Sequence, residues 1–113
     1  MELHHREVRQ LLNELGMYPN LQGYRYLVET IIVLGKVGDG FRITKDGYPE
    51  VANRMHTRAI RVERACRYII DRTYSGYSQL WLDILNIRER PTVSEFVWNV
   101  LMYFEDYCMR INA

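Results

Sequence analysis

Apolar residues recur three and four positions apart along most of this 113-residue chain, and no segment gives a convincing β-strand. This spacing is typical of one face of an α-helix. The segment from about 24 to 35 is apolar on most of its surface, so we expect it to be the most buried helix. The pattern predicts an all-α fold, a compact bundle of about six helices. A chain of this length is expected to form a single domain over 1–113.

Glycines, prolines and polar turns divide the chain into these helices. The first helix is expected at about 3–15 and the second at about 24–35. The others are expected at about 48–55, 57–72, 78–85 and from 92 onward. Ser75-Gly76 is expected to break the chain. The segment FRITKDG at 41–47 is consistent with a helical turn or with a short extended piece.

The last helix has a clear start signal. Thr92 is followed three residues later by Glu95, which is the spacing of a capping box. The helix carries more aromatic side chains than one core face requires, namely Trp98, Tyr103, Phe104 and Tyr107. We expect most of them in the core, but some could form an interface.

The composition is that of a globular protein, with 48% hydrophobic and 26% charged residues. No apolar run approaches the roughly 20 residues needed to cross a bilayer, and MELHHREVRQ contains no apolar signal-peptide core. We therefore expect a cytoplasmic protein.

Nothing in the sequence indicates a metal, a cofactor or an enzyme. The two cysteines, Cys66 and Cys108, lack metal-ligand spacing and are expected to be buried thiols rather than a disulfide or a zinc site. The three histidines form no ligand cluster. GKVGDGF has glycines but no GKT or GKS ending, so it does not match a phosphate-binding loop.

Positive charge is concentrated in one segment. The net charge is only +1, yet residues 51–75 contain six arginines against two carboxylates. On a helical wheel the apolar residues of this segment share one face, and the opposite face carries Arg61, Arg64 and Arg67. Arg58 is expected to belong to the preceding turn. A solvated helix face would explain the pattern, but only two of the 15 basic residues are lysines, and guanidinium groups suit bidentate recognition of guanine and phosphate.

Residues 48–72 fit a helix-turn-helix. Small Ala52 would let the two helices approach each other, and Thr57 would start the second helix. His56 occupies the turn position where Gly is more common. In this architecture the second helix, about 58–72, enters the DNA major groove with its early residues at the base edges.

Five motifs occur in order along the chain. They are GYRYL at 23–27, ITK at 43–45, YPEVA at 48–52, RVERACR at 61–67 and PTVSEF at 91–96. With these motifs the chain resembles, over roughly 9–105, the C-terminal DNA-binding (effector) domain of the stage 0 sporulation response regulator, the sporulation master regulator of Firmicutes. The resemblance implies a six-helix domain with a helix-turn-helix, acting on bacterial DNA at the nucleoid.

The resemblance also implies what the site binds. It implies TGTCGAA-type DNA elements, often in tandem, on which two copies would sit head to tail as a homodimer. It implies that Arg61, Glu63 and Arg64 read bases, which agrees with the chemistry of guanine and of the cytosine amino group. An ion pair with Arg67, four residues later in the same helix, explains the presence of Glu63 equally well.

Several other side chains flank the expected reading helix and could hold DNA phosphates. They are Thr44, Lys45, Arg54, Arg58 and Arg67. Plain solvent exposure explains each of them equally well.

The chain departs from the family at three places. It contains no receiver domain, so it is either a stand-alone relative or a fragment. Ile60 replaces a small hydroxyl residue, and could contact a thymine methyl or indicate altered specificity. SQLWLDILNIRER at 78–90 replaces a segment near the family's contact with the sigma subunit of RNA polymerase.

Two functions remain open on this evidence. The first is a sequence-specific DNA-binding transcription regulator. The alternative is a receiver-less interaction module that dimerises with, or competes against, a full-length regulator, or that binds the polymerase sigma factor.

Overall fold

A computed structural model of the protein describes the backbone of residues 1–112 and the side chains of residues 1–106. Its elements are α1 (His5–Glu14), α2 (Gln22–Val37), a π-helical turn (Ile43–Gly47), α3 (Tyr48–Arg54), α4 (Ala59–Leu85) and α5 (Val93–Asn112). The all-α prediction is confirmed, since the described backbone contains no strand. No helix within it is both long enough and apolar enough to span a bilayer.

Helix α2 lies at the centre of the fold, as its composition predicts. Most of its side chains between Gly23 and Gly35 are buried, and it packs against α1, the π-helical turn, α3, α4 and α5. Burying each Leu, Ile or Val stabilises the fold by about 1.5–3 kcal/mol. Among its neighbours α2 packs most extensively against α4, so it is the main support of that helix.

The π-helical turn resolves the ambiguity of FRITKDG in favour of a helical turn. Its start is held by the Asp46 carboxylate, which accepts a hydrogen bond of 2.7 Å from the Arg42 amide. Helix α3 follows without a gap, with Pro49 in its first turn, where the missing amide proton costs no hydrogen bond.

The break predicted at Ser75-Gly76 lies one residue later, at Tyr77, where two helical segments of α4 meet at a kink. The Tyr77 backbone leaves helical geometry there (φ −132°, ψ 24°). The Tyr77 ring lies against Gly16, where a Cβ would approach ring atoms to 2.6 Å. Beyond the bend Trp81 is fully buried, and its indole Nε1 donates to the Leu15 carbonyl oxygen at 2.9 Å. The bend thus lets the second half of α4 pack at the end of α1.

The capping box before α5 is confirmed. The Glu95 amide donates to Thr92 Oγ1 at 3.1 Å, and the Thr92 amide donates to Glu95 Oε1 at 3.0 Å. Hydrogen bonding of its carboxylate to the backbone and then the side chain of Thr92 lowers the pKa of Glu95, because it stabilises the charged form.

The aromatic residues of α5 differ in burial. Phe104 is buried in the core, Tyr103 is half-buried, and Trp98 is 43% exposed. Trp98 is thus one of the aromatic residues outside the core, and its ring lies near the partly buried ring of Phe41, at a centroid distance of 6.4 Å. Tyr107 and Cys108 lie outside the residues whose side chains are described.

Candidate nucleic-acid interface

Helices α3 and α4 form the predicted helix-turn-helix. The chain reverses at His56, whose backbone is left-handed (φ 55°), and the Thr57 amide then donates to the Ala52 carbonyl oxygen at 2.9 Å. A left-handed residue other than Gly costs about 1–2 kcal/mol. This conformation is the physical reason that Gly is common at this position of the motif.

Helix α4 begins at Ala59, two residues after the predicted start at Thr57. Arg58 is extended (φ −108°, ψ 148°) and belongs to the turn, as predicted. Its carbonyl oxygen accepts hydrogen bonds from the amides of Arg61 (3.0 Å) and Val62 (3.2 Å). No side chain of the described residues caps this end of α4, so the amides of Ala59 and Ile60 have no acceptor within the helix.

The inner face of α4 is fully buried at Val62, Cys66, Ile69 and Ile70. It packs against α2 and α3. Burial raises the pKa of the Cys66 thiol to about 12, since the thiolate would lose its hydration. Cys66 is therefore a buried neutral thiol, as predicted.

Helix α2 lies close against α4 at Gly23. A Cβ on Gly23 would lie 2.3 Å from the Ala65 carbonyl oxygen and 3.1 Å from Ile69 Cγ2. Only a residue without a side chain fits at such a distance. This contact fixes the separation of the two helices, and with it the position of the outer face of α4.

Three exposed arginines lie side by side, Arg58 in the turn and Arg61 and Arg64 on the outer face of α4. They line one groove of about 570 Å³, together with Ile60, Tyr68 and the start of α2. No carboxylate within the described residues lies within ion-pair distance of any of the three guanidinium groups. The groove is therefore open and cationic.

Glu63 and Arg67 lie outside this groove and pair with each other. The distance from Arg67 Nη1 to Glu63 Oε1 is 3.3 Å. Arg61, Arg64 and Arg67 are all exposed, as the helical wheel predicts, but only Arg61 and Arg64 line the groove, together with Arg58 of the turn. An exposed pair at this spacing contributes only about 0.3–0.5 kcal/mol, so either partner can exchange it for a ligand contact.

The remaining predicted phosphate contacts lie on neighbouring elements. Arg54 is exposed at the end of α3 and pairs with Glu50 at 2.9 Å. Thr44 and Lys45 are exposed on the π-helical turn, which packs against α2 and α3. None of these three residues lines the groove.

Two of the groove residues that were not among the predicted site residues carry polar side chains, Tyr68 and Gln22. Tyr68 is exposed, and its hydroxyl accepts a hydrogen bond of 3.0 Å from Arg72 Nη1. Gln22 opens α2, and its side-chain amide donates to the Tyr26 hydroxyl at 3.0 Å. A helical wheel of α4 puts Tyr68 on the same face as Arg61 and Arg64, but a wheel of one helix cannot reveal which other helix lies next to that face.

A second set of grooves surrounds the exposed side of α5. The largest of them, about 600 Å³, is lined by residues that include Trp98, Met102, Asp83 and Asp106. Within the described residues these grooves contain no Lys or Arg side chain. Seven carboxylates line them, namely Glu7, Glu14, Asp39, Asp83, Glu95, Glu105 and Asp106. The described residues contain no group of three or more side chains that could hold a metal ion.

The sequence matches one family model over residues 8–103, which is most of the chain. Its description is sporulation initiation factor Spo0A, C terminal. Domains of this family are DNA-binding effector domains of a sporulation regulator and are not a known enzyme family. With this match and the helix-turn-helix in place, the chain belongs to the Spo0A C-terminal domain family.

Proposed function

We propose that the protein acts as one helix-turn-helix domain that binds specific DNA sequences and regulates transcription from the bacterial nucleoid. The observation that carries the proposal is the open groove lined by Arg58, Arg61 and Arg64. These guanidinium groups have no carboxylate partner within the described residues, and they project from a helix whose other face is buried. Little reorganisation is needed before they can contact a ligand.

The first two turns of α4 supply the base contacts. Arg61 and Arg64 donate to the O6 and N7 atoms of guanine, and each bidentate contact discriminates against the wrong base by about 1–3 kcal/mol. Glu63 accepts from the amino group of cytosine while its other oxygen keeps Arg67 in place. These assignments suit elements of the TGTCGAA type, which contain both guanine and cytosine.

Cationic and hydroxyl groups around the helix hold the DNA backbone. Arg58 lies at the start of α4, Arg67 follows the base-reading turns, and Arg54 ends α3. Thr44 and Lys45 extend the surface from the π-helical turn. Such contacts orient the domain without reading sequence, and each one steepens the salt dependence of binding.

On tandem elements two copies bind head to tail as a homodimer. The bent second half of α4 and the loop after it, residues 78–90, remain free of DNA in this arrangement. That segment is available to the sigma subunit of RNA polymerase, which would make the protein an activator at suitably spaced promoters.

The test is a fluorescence anisotropy titration with a TGTCGAA duplex and with a scrambled duplex, over a series of salt concentrations. Wild type should bind the TGTCGAA duplex more tightly at every salt concentration. Arg64→Ala should lower specific affinity by about 1–3 kcal/mol. Arg67→Ala should weaken binding to both duplexes similarly and reduce the salt slope by about 1.

Arg88→Ala provides the matched control, because Arg88 is an exposed arginine outside the proposed interface. It removes the same charge and should leave the preference for TGTCGAA unchanged. Equal binding of both duplexes by wild type would refute sequence-specific recognition. An Arg64→Ala curve that overlays the Arg88→Ala curve would remove Arg64 from the base contacts.

A second candidate function is suggested by the acidic grooves around Trp98. An exposed indole surrounded by carboxylates, with no Lys or Arg among the described lining residues, suits a protein partner with basic and apolar side chains. In this alternative the chain dimerises with or competes against a full-length regulator, or binds the sigma factor. Binding to neither duplex in the titration, together with binding to such a partner, would favour it.

A further inference from the structure

Ile60 is an apolar residue on an otherwise cationic surface. It is the second residue of α4 and is 56% exposed, more than any other large aliphatic side chain among the described residues. It is not one of the hydrophobic side chains that pack against the core, whereas its neighbours Ala59 and Ala65 are. Ile60 lines the groove beside Arg61 and Arg64. Its contacts within the chain therefore do not explain an isoleucine at this position.

We propose that Ile60 is a specificity-determining residue that contacts the C5-methyl group of a thymine in the DNA major groove. The inference rests on the proposed DNA-binding function and adds a base preference to it. The thymine methyl is the one apolar group that base pairs present in this groove. In a helix-turn-helix the early residues of the second helix face the base edges, and Ile60 lies in the first turn.

The side chain suits this role. Isoleucine is branched at Cβ and populates essentially one χ1 rotamer in a helix, so little side-chain freedom is lost when the DNA binds. Contact with a methyl group removes apolar surface of both partners from water. A polar or charged base edge offers no such gain, so the contact discriminates thymine from the other bases.

The position of the thymine follows from the helix. Ile60 and Arg64 are four residues apart, which places them on the same face with about 6 Å between their Cβ atoms. Stacked bases are about 3.4 Å apart. The thymine contacted by Ile60 should therefore lie within about two base pairs of the guanine contacted by Arg64.

Replacement of thymine by deoxyuridine tests the inference, because it removes only the methyl group and keeps base pairing. The duplex is the one that wild type binds most tightly in a selection from a random pool. Each thymine in it is replaced in turn, and binding is measured by fluorescence anisotropy for wild type, Ile60→Ala and Ile60→Val. Leu82→Ala is the matched control, an exposed aliphatic residue of the same helix outside the groove.

We expect one replacement to weaken binding by wild type about fourfold, the effect of about one buried methyl group. Ile60→Ala should bind the thymine duplex and this deoxyuridine duplex equally. Ile60→Val should keep most of the preference for thymine, and Leu82→Ala should behave as wild type. Because Ile60 is exposed, thermal melts should show all variants folded.

Two results would overturn the inference, and they are distinguishable. If the selection yields a preferred duplex but no deoxyuridine replacement affects wild type and Ile60→Ala differently, Ile60 does not read thymine while the proposed function stands. If the selection yields no preferred sequence, sequence-specific binding fails, and the role of Ile60 fails with it.

Discussion

Gly23→Ala is the change that most directly tests how α4 is positioned. The added Cβ would lie 2.3 Å from the Ala65 carbonyl oxygen, and an ordinary contact needs at least 3.4 Å. The two helices must therefore separate by about 1 Å. Because the obstructing atom belongs to the backbone, no change of side-chain rotamer can relieve the contact.

The expected magnitude follows from two opposing effects. Overpacking of a core typically costs about 1–3 kcal/mol, while replacing Gly by Ala within a helix gains up to about 1 kcal/mol. The net loss should be about 1–2 kcal/mol, which lowers the urea midpoint of unfolding by about 1 M. The displaced α4 should also bind specific DNA less well, with a smaller change for scrambled DNA.

The assay is urea unfolding followed by tryptophan fluorescence, since Trp81 is fully buried. Gly76→Ala is the matched control, because a Cβ on Gly76 meets no atom within 4 Å. It should leave the protein equally stable or stabilise it by up to about 1 kcal/mol. A Gly23→Ala variant that is as stable as Gly76→Ala would refute the close approach of α2 and α4.

Four further predictions concern the core and the start of α5. Trp81→Phe removes the indole N–H that donates to the Leu15 carbonyl oxygen. It should destabilise the protein by about 1–3 kcal/mol in the same urea assay, and an unchanged midpoint of unfolding would contradict this. Thr92→Ala should cost about 1 kcal/mol, and a melting temperature equal to that of wild type would exclude the capping box. Because the pKa of Glu95 is lowered below its ordinary 4.5, the carboxylate stabilises the fold above pH 4.5, and this contribution is lost as the pH falls through the folded-state pKa. Glu95→Gln should therefore reduce the pH dependence of the melting temperature below pH 4.5, and an unchanged dependence would contradict the shift. In a Cys108→Ser variant, Cys66 should react with a thiol reagent only on unfolding, since burial raises its pKa to about 12; rapid labelling of the folded protein would disprove this.

Local signals in the sequence predict much of the fold. The capping box at Thr92 and Glu95 depends on residues three positions apart, and the hydrogen bonds of the structure confirm it. The apolar composition of 24–35 likewise predicts the central helix, and the wheel of α4 predicts that Val62 and Cys66 are buried. In each case the deciding interaction is local or follows directly from helical periodicity.

Long-range contacts decide the features that the sequence did not predict. Ser75-Gly76 predicts a break, and the kink at Tyr77 lies one residue after it, but the sequence does not show that the second half of α4 then packs at the end of α1 through Trp81. The groove beside Arg61 and Arg64 depends on the start of α2, about 40 residues earlier in the chain. Helical periodicity shows which face of a helix is buried, but it does not show which helix covers it.

The central claim is that Arg64, held on the outer face of α4, reads a guanine. The most direct measurement replaces each guanine of the preferred duplex in turn by 7-deazaguanine, which lacks the N7 acceptor, and compares wild type with Arg64→Ala. At one position the replacement should weaken binding by wild type about tenfold, as expected from loss of part of a bidentate contact worth about 1–3 kcal/mol, and should not weaken Arg64→Ala further. Equal losses for the two proteins at every guanine would contradict the account.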